Sequence, residues 1–236
     1  MWRDAALVAG KDLRIELRSK VAVNQVIPFA LVVVVLFGLA IGQSVSGRGV
    51  AEETGLANAG VLRGAAAGLF WVAVLLSTVL AVQRSFAVEN ADGARDGLRL
   101  SGLDPGGVFL GKAGATALQL LVLEVLVAAA AALVYGVHPA GLGLIVATCL
   151  FATAGLVFLG TTYGMLSSGS RVRETLLPLL FFPVAAPVLL GATKAFDAAI
   201  AGTPGAGRGW LELLVVFALA YGALGTAVFG SLLEDA

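Results

Sequence analysis

Charged residues, cysteine and histidine are all scarce in this sequence of 236 residues, and each shortage narrows what the protein is. Charged side chains make up 13% of the chain, against about 25% in a soluble globular protein. Hydrophobic side chains make up 59%, which predicts an integral membrane protein. The single cysteine, Cys149, excludes an intrachain disulfide, a CxxC redox pair and a thiolate metal cluster. It is interpreted as a small packing residue in an apolar run.

The sequence also lacks the residue sets that carry enzyme chemistry. With one histidine, it offers no Ser/His/Asp set, no His-rich metal cluster and no paired catalytic carboxylates. Residues 106–112 match the pattern G-x-x-x-x-G-K, but Ala113 stands where a phosphate-binding loop needs Ser or Thr. Equal numbers of basic and acidic residues, 15 and 15, give no indication of a nucleic-acid partner. The sequence therefore predicts neither an enzyme nor a metal site.

Long apolar runs are what the sequence has in abundance. Six of them approach the roughly 20 residues that a helix needs to cross a bilayer. They lie near residues 22–42, 65–82, 113–135, 141–166, 175–193 and 210–232. Residues 2–20 instead predict an amphipathic helix in the membrane plane, with a solvated cap on the first span as the alternative. The prediction is an all-α membrane protein with one transmembrane domain over residues 1–236.

Lysine and arginine are unevenly distributed between the two sides of this map. With the N-terminus inside, the inner segments carry eleven basic residues and the outer segments carry four. Because an excess of basic residues marks the cytoplasmic side, both termini are predicted to be cytoplasmic. The polar interval 83–112 then forms a cytoplasmic loop between spans two and three, predicted as a helix-turn-helix with a docking surface. Its charges are expected to lie in water or the headgroup zone.

Glu124 is the one carboxylate deep inside a predicted span. An acid in that position suggests a functional role, such as gating a polar path. The structural alternative is a carboxyl group that is protonated or hydrogen-bonded to hydroxyls such as those of Thr78, Thr161 or Tyr163. The residues leave both interpretations open.

Proline and glycine mark further features of the spans. Pro178, Pro183 and Pro187 should bend or locally unwind the fifth span, either beside a substrate path or as a packed kink. Small residues recur at four-residue spacing, which lets helix backbones approach closely. These positions are Gly38-Gly42, Gly60-Gly64-Gly68, Gly160-Gly164 and Ala218-Gly222.

The interfacial helix, six spans and polar loop after the second span resemble the permease subunits of ABC-2-type transporters. Three stretches are similar to the haem exporter protein B (CcmB) family of cytochrome c maturation. They are LVAGKDLRIELRSK at 7–20, RSFAVENADGARDGLRLSGLDPGGVFLGK at 84–112 and RVRETLLPLLFFPVAAPVLLGATKA at 171–195. The family's acid-rich run after Arg-Ser-Phe is replaced here by Glu89-Asn90-Ala91-Asp92.

The resemblance implies a multi-pass subunit of the bacterial cytoplasmic membrane that is not itself an enzyme. Its implied partners are an ATPase subunit (CcmA) that binds ATP, the haem-handling subunits CcmC and CcmD, the haem chaperone CcmE and a second copy of the chain. Haem is the implied cargo, with ATP-driven release of the haem-loaded chaperone as the alternative, and no cofactor is expected on this chain itself. His138 is the one candidate haem contact, since imidazole is a common axial ligand; a solvated turn histidine is the other interpretation.

In ABC-2-type transporters a short helix after the second span seats in a cleft of the ATPase, which implies that role for the interval 83–112. The corresponding residues here are Arg84, Glu89, Asp92, Gly93, Arg95, Asp96, Asp104 and Lys112. Two alternatives stay open at this point. One is an ABC-2-type permease for another cargo, such as a drug, lipid or glycan. The other is a membrane scaffold or intramembrane enzyme that needs no ATPase.

Overall fold

The fold was taken from a computed structural model, which describes residues 1–19, 25–46, 53–91, 102–135, 140–168 and 173–235. Seven α-helices account for most of these residues. They are α1 (Trp2–Ser19), α2 (Ile27–Ser46), α3 (Glu53–Ala91), α4 (Pro105–Tyr135), α5 (Leu142–Ser168), α6 (Arg173–Ile200) and α7 (Arg208–Asp235). A short 3-10 helix, Pro204–Gly207, joins α6 to α7. No strand occurs in these ranges, as the all-α prediction requires.

Five helices contain stretches that are long and apolar enough to cross a bilayer. These stretches are Gly64–Ala87, Pro105–Leu133, Leu142–Ser167, Thr175–Ile200 and Pro204–Ser231. The protein is therefore a multi-pass membrane protein. In α2, Ile27–Ser46, the apolar stretch within the part whose side chains the structure describes is Ile27–Leu39. Six spans and cytoplasmic termini stay predictions.

The structure differs from the predicted loop at 83–112. Helix α3 continues to Ala91 and α4 already begins at Pro105, so both ends of the interval belong to long helices. Pro105 suits a first helical turn because it lacks an N–H group that would go unpaired there. The Asp104 carboxylate accepts a 2.7 Å hydrogen bond from the Gly107 N–H and caps the helix. Residues 92–101 lie outside the described ranges.

Helix α3 contains the most buried of the five apolar stretches and carries Trp71, the largest fully buried side chain in the described part. Trp71 is fully buried and packs edge-on against Phe70 and Phe196, with ring centroids 5.3 and 5.2 Å away. Towards the end of α3, a Cβ added at Gly164 would lie 2.5 Å from the Phe86 ring. The close packing predicted at Gly160-Gly164 is confirmed for side chains of α3, since a Cβ added at Gly160 would also lie 2.9 Å from the Val82 side chain.

The three prolines of the fifth predicted span all lie inside α6. The helix passes through Pro178, Pro183 and Pro187 without interruption from Arg173 to Ile200. The expected local unwinding is therefore wrong. The expected bend stays a prediction, since each proline removes one backbone hydrogen bond from the helix.

Candidate functional site

The amphipathic helix α1 packs directly on the first turns of α4. Two glycines of α4 permit the contact, because an added Cβ at Gly107 would lie 2.7 Å from the Met1 carbonyl oxygen, and one at Gly111 would lie 2.6 Å from that of Ala5. Val8 is buried in the same contact. The opposite side of α1 exposes large apolar side chains, including Trp2 and Leu17. This arrangement suits a helix that lies between the bundle and the membrane surface.

A carboxylate of α1 holds the turn that precedes α4. Asp4 Oδ2 accepts a 3.3 Å hydrogen bond from the Asp104 N–H and lies 3.3 Å from the N-terminal ammonium group. The pKa of Asp4 falls below its ordinary value of 3.8, chiefly because the Asp104 N–H stabilises the charged form and then because of the ammonium group. Asp104 in turn caps α4, so the two aspartates fix where that helix begins.

Lys112 lies in the interior between three helices, with only 2% of its side chain exposed. Its ammonium nitrogen is 3.7 Å from Asp12 Oδ2 of α1 and 4.7 Å from the centre of the Phe86 ring of α3. The expectation that every charge in 83–112 lies in water or the headgroup zone is therefore wrong for Lys112. A carboxylate and an aromatic face replace part of the hydration that burial removes.

Arg84 completes the set by linking α1 to α3. Its Nε donates to Glu16 Oε2 at 3.4 Å, and its Nη2 donates to the Ser19 hydroxyl at 3.0 Å. Together with the contacts of Asp4 and Asp12, these bonds attach α1 to both helices that flank residues 92–101. We call this group of polar contacts the α1 clamp; it comprises the pairs Asp4–Asp104, Asp12–Lys112 and Glu16–Arg84.

The structure places only part of the predicted coupling set. Arg84, Asp104 and Lys112 are brought together under α1, and Glu89 lies on the last turns of α3 with its side chain outside the described part. Four further members, Asp92, Gly93, Arg95 and Asp96, lie wholly outside it, as does His138.

Sequence reasoning missed the acidic residues of the clamp, Asp4, Asp12 and Glu16. Their spacings of eight and four residues place them towards one side of a helix. This spacing indicates an acidic side of α1, which could have been predicted from the sequence.

Glu124 is buried in the middle of α4 with 2% of its surface exposed. Its Oε1 accepts a hydrogen bond from the Thr153 hydroxyl of α5, and the Cys149 thiol lies beside the carboxyl group. The expected hydrogen bond to a hydroxyl is present, but its donor is Thr153; the Thr78 hydroxyl donates instead to the carbonyl of Val74 in its own helix. Cys149 and Thr153 are four residues apart and so share one face of α5.

The remaining potential ligands give no metal centre in the described ranges, where no group of three or more His, Cys, Asp or Glu side chains is close enough to hold an ion. The G-x-x-x-x-G-K segment is likewise not a phosphate-binding loop. Residues 106–112 form the first turns of α4, and the lysine contacts Asp12 and Phe86 instead of facing an open anion site.

Comparison with known families decides what kind of chain carries this arrangement. The sequence matches the model of the CcmB protein family over residues 4–234. The chain belongs to the CcmB family. It is 28% identical over 215 residues to heme exporter protein B of Pseudomonas aeruginosa, covering 91% of this chain and 90% of the relative. It is 29% identical over 223 residues to that of Haemophilus influenzae, covering 93% and 91%.

A third relative, heme exporter protein B of Escherichia coli, is 33% identical over 192 residues, covering 80% of this chain and 79% of its own length. The CcmB match begins at Asp4 and ends at Glu234, so it takes in every helix from α1 to α7. The resemblance carried by the stretches at 7–20, 84–112 and 171–195 is confirmed. The first two of these stretches contain five of the six residues of the α1 clamp, and the second ends at its buried lysine, Lys112.

Proposed function

We propose that the chain is the permease subunit of a haem exporter in the bacterial cytoplasmic membrane, serving cytochrome c maturation. The observation that carries the proposal is the CcmB family match over residues 4–234, together with relatives that are named heme exporter protein B. Five long apolar helices supply the membrane-spanning part. Cargo other than haem remains the alternative function.

ATP hydrolysis belongs to a separate subunit in this proposal. The one segment of the chain that resembles a phosphate-binding loop, 106–112, is helical and directs its lysine towards Asp12 and Phe86. The partners are an ATPase of the CcmA type, the haem-handling subunits CcmC and CcmD, and the chaperone CcmE. The energy of hydrolysis drives either haem export or release of the haem-loaded chaperone.

The coupling site is the end of α3 together with residues 92–104, where Glu89 and Asp92 supply charge for docking to the ATPase. The α1 clamp supports this role mechanically, because it ties α1 to the last turns of α3 through Arg84 and to the start of α4 through Asp104 and Lys112. A displacement of the segment between α3 and α4 is then passed to α1 as well as to the two spans. Lys112 contributes by holding α1, since its buried ammonium group faces inward.

Charge reversal at the docking segment tests this assignment. The double variant Glu89→Lys/Asp92→Lys should insert normally but lose ATPase co-purification and cytochrome c assembly together, since opposite charges no longer meet at the interface. Glu212→Lys is the control for a charge reversal elsewhere. Glu212 is an exposed carboxylate near the start of α7, which the predicted topology places on the outer side of the membrane. Wild-type values of both readouts in a well-expressed double variant would refute the docking assignment and make α1 the next candidate.

The cargo is tested separately by complementation. A strain that lacks its own heme exporter protein B should recover cytochrome c assembly when this chain is expressed with its ATPase. Normal membrane levels without recovery would favour the alternative, an ABC-2-type permease for another cargo.

We also propose that the permease works as a homodimer, because one copy supplies only half of the spans that such exporters use. The structure narrows the candidate face. Gly222 and Gly225 of α7 are already packed within the chain, since added Cβ atoms would lie 3.1 Å from Phe158 and 2.1 Å from Phe109. Gly64 of α3, by contrast, has nothing within 4 Å of an added Cβ. Gly64 is therefore the better candidate position for a contact between two copies.

Cysteine crosslinking tests the dimer. In a Cys149→Ala background, Gly64→Cys should trap homodimers, whereas Gly143→Cys, an equally open glycine on α5, serves as the control. Crosslinks from Gly64→Cys to other subunits alone would refute a homodimer at this face.

A further inference from the structure

Helix α1 keeps its acidic and basic side chains on different sides. Its three carboxylates are all engaged with the bundle in the α1 clamp. Its four basic residues follow one another at spacings of eight, three and four, which places them on one face of the helix. We call this the basic face of α1; it comprises Arg3, Lys11, Arg14 and Arg18. Acid is therefore turned towards the bundle and base away from it.

The arginines of the basic face have no anion of this chain beside them. Arg3, Arg14 and Arg18 are exposed, and no carboxylate in the described ranges lies within 4 Å of their guanidinium groups. Lys11 differs, since its ammonium nitrogen is 3.0 Å from Asp12 Oδ1. Three cations thus point outward with their charge not balanced by a neighbouring side chain.

An open groove of about 380 Å³ runs along the basic face. Gly10 leaves room in it, because nothing lies within 4 Å of a Cβ added there. The lining mixes cationic and apolar side chains and includes Leu7, Gly10, Lys11, Arg14, Ile15 and Arg18. Such a lining suits an anionic group that is attached to hydrocarbon.

Helix α1 also lies at the depth where such groups occur. It contacts Gly107 and Gly111 in the first turns of α4, whose membrane-spanning stretch begins at Pro105. Trp2 and Leu17 of α1 are 78% and 77% exposed, which suits side chains in the boundary between hydrocarbon and headgroups. An acidic protein surface over the basic face would explain the arginines but not these two apolar side chains. A lipid surface explains both.

We propose that the basic face of α1 binds an anionic phospholipid, with the headgroup phosphate in the groove between Arg14 and Arg18. Basic side chains and phosphate form charge-assisted contacts. Phosphatidylglycerol is favoured over phosphatidylethanolamine and phosphatidylcholine, because their headgroups bring a cation of their own close to the arginines. The bound lipid would hold α1 from outside, opposite the α1 clamp. The transport proposal does not use this surface.

Photocrosslinking of the full-length chain in phosphatidylcholine vesicles tests the proposal. The probe is a trace of phosphatidylglycerol with a photoactivatable group close to its headgroup, and the labelled peptides are mapped by mass spectrometry. Label is expected on α1 around Gly10. Unlabelled phosphatidylglycerol added to the vesicles should displace it, whereas the same amount of phosphatidylethanolamine should not.

Neutralising the groove should remove the label. In Arg14→Gln/Arg18→Gln we expect a decrease of roughly tenfold or more, since each basic residue near an anionic membrane surface contributes about fivefold in affinity. The matched control is Lys194→Gln/Arg208→Gln, which removes two exposed basic residues from α6 and the start of α7. It should label α1 like the wild type.

A second pair separates charge from folding. Arg14→Lys/Arg18→Lys keeps both charges and should retain most of the label. The proposal is overturned if the glutamine pair labels like the wild type, if the lysine pair loses as much label as the glutamine pair, or if phosphatidylethanolamine competes as well as phosphatidylglycerol. Unchanged lipid label with lost ATPase co-purification in the glutamine pair would instead assign the basic face to a protein contact. Labelling needs neither ATPase nor cargo, so its failure leaves the transport proposal untouched.

Discussion

The ammonium nitrogen of Lys112 lies 3.7 Å from Asp12 Oδ2 and 4.7 Å from the centre of the Phe86 ring, although only 2% of its side chain is exposed. One cation therefore joins α4 to α1 and to α3. Burial of a lysine is costly unless a carboxylate and other groups replace its hydration. The contact makes α1 an integral part of the bundle. It lies near the end of α3 and the start of α4, the two helices that flank the docking segment.

The first prediction concerns this pair. Asp12→Asn should lower the free energy of unfolding by about 1–3 kcal/mol, because it leaves the Lys112 charge buried beside a neutral amide. Adding Lys112→Met should restore most of the loss, since methionine fills a similar volume without charge. The stability of both variants is measured in detergent, from the fraction of protein that stays monodisperse as the temperature is raised. Lys11→Met, which removes the exposed lysine 3.0 Å from Asp12, should cost at most about 1 kcal/mol. Equal losses in the single and double variants would contradict this account.

The second prediction uses the close approach of α1 to α4. Gly111→Ala should displace α1, because the new Cβ would lie 2.6 Å from the Ala5 carbonyl oxygen and 2.7 Å from the Val8 Cβ. We expect faster proteolysis of α1 and a free energy of unfolding that is lower by about 1–3 kcal/mol. Gly114→Ala, three residues later with nothing within 4 Å, should be neutral or stabilise the helix by up to about 1 kcal/mol. Similar proteolysis of the two variants would show that α1 is not held there.

Much of the fold could be predicted from the sequence, because each apolar helix corresponds to one continuous apolar run whose position and length can be read directly. The amphipathic pattern of residues 2–20 and the position of the polar interval are equally local signals, and α1 lies where that pattern predicted a helix. Contacts between helices are different. The bond between Glu16 and Arg84 spans 68 residues and that between Asp4 and Asp104 spans 100, and no periodicity within one helix reveals such a partner.

Two individual residues show the same limit. Lys112 was expected in water or the headgroup zone, because a single lysine gives no sign that Asp12 and Phe86 will surround it. The hydroxyls named as examples of a partner for Glu124 were those of Thr78, Thr161 and Tyr163, whereas the donor is Thr153, because the packing of α5 along α4 sets which hydroxyl faces the carboxyl group. Helix register of this kind depends on tertiary packing, which hydropathy does not encode.

The third prediction is a pH dependence at the start of α4. The pKa of Asp4 is lowered from 3.8 in the folded protein by the Asp104 N–H and the N-terminal ammonium. A lowered pKa adds stability above the unfolded value and loses it as the pH falls through the folded one. Asp4→Asn should therefore melt below wild type at neutral pH, and the difference should shrink as the pH falls below 3.8 towards the lowered pKa of the folded state. Thermal melting across this range measures it, with Glu212→Gln as a control for removal of an exposed carboxylate; a constant difference at all pH values would contradict it.

The last prediction separates the two roles of Glu124. Glu124→Gln keeps an acceptor for the Thr153 hydroxyl at nearly the same volume, so both stability and cytochrome c assembly should stay near wild type. Glu124→Ala removes the acceptor and opens a void, which should cost about 2–5 kcal/mol. Melting temperature in detergent and assembly in a complemented strain are measured on the same variants.

The pair of readouts decides between structure and gating. If Glu124 is structural, assembly follows stability, so the Ala variant loses both and the Gln variant loses neither. A Gln variant that melts like wild type but no longer supports cytochrome c assembly would show that the carboxyl group itself is needed in transport. Thr153→Val sharpens the distinction, because it removes the donor and leaves the acid in place. A gating acid would tolerate that change in the assembly assay, whereas a structural acid left without its donor would lose stability by about 1–3 kcal/mol.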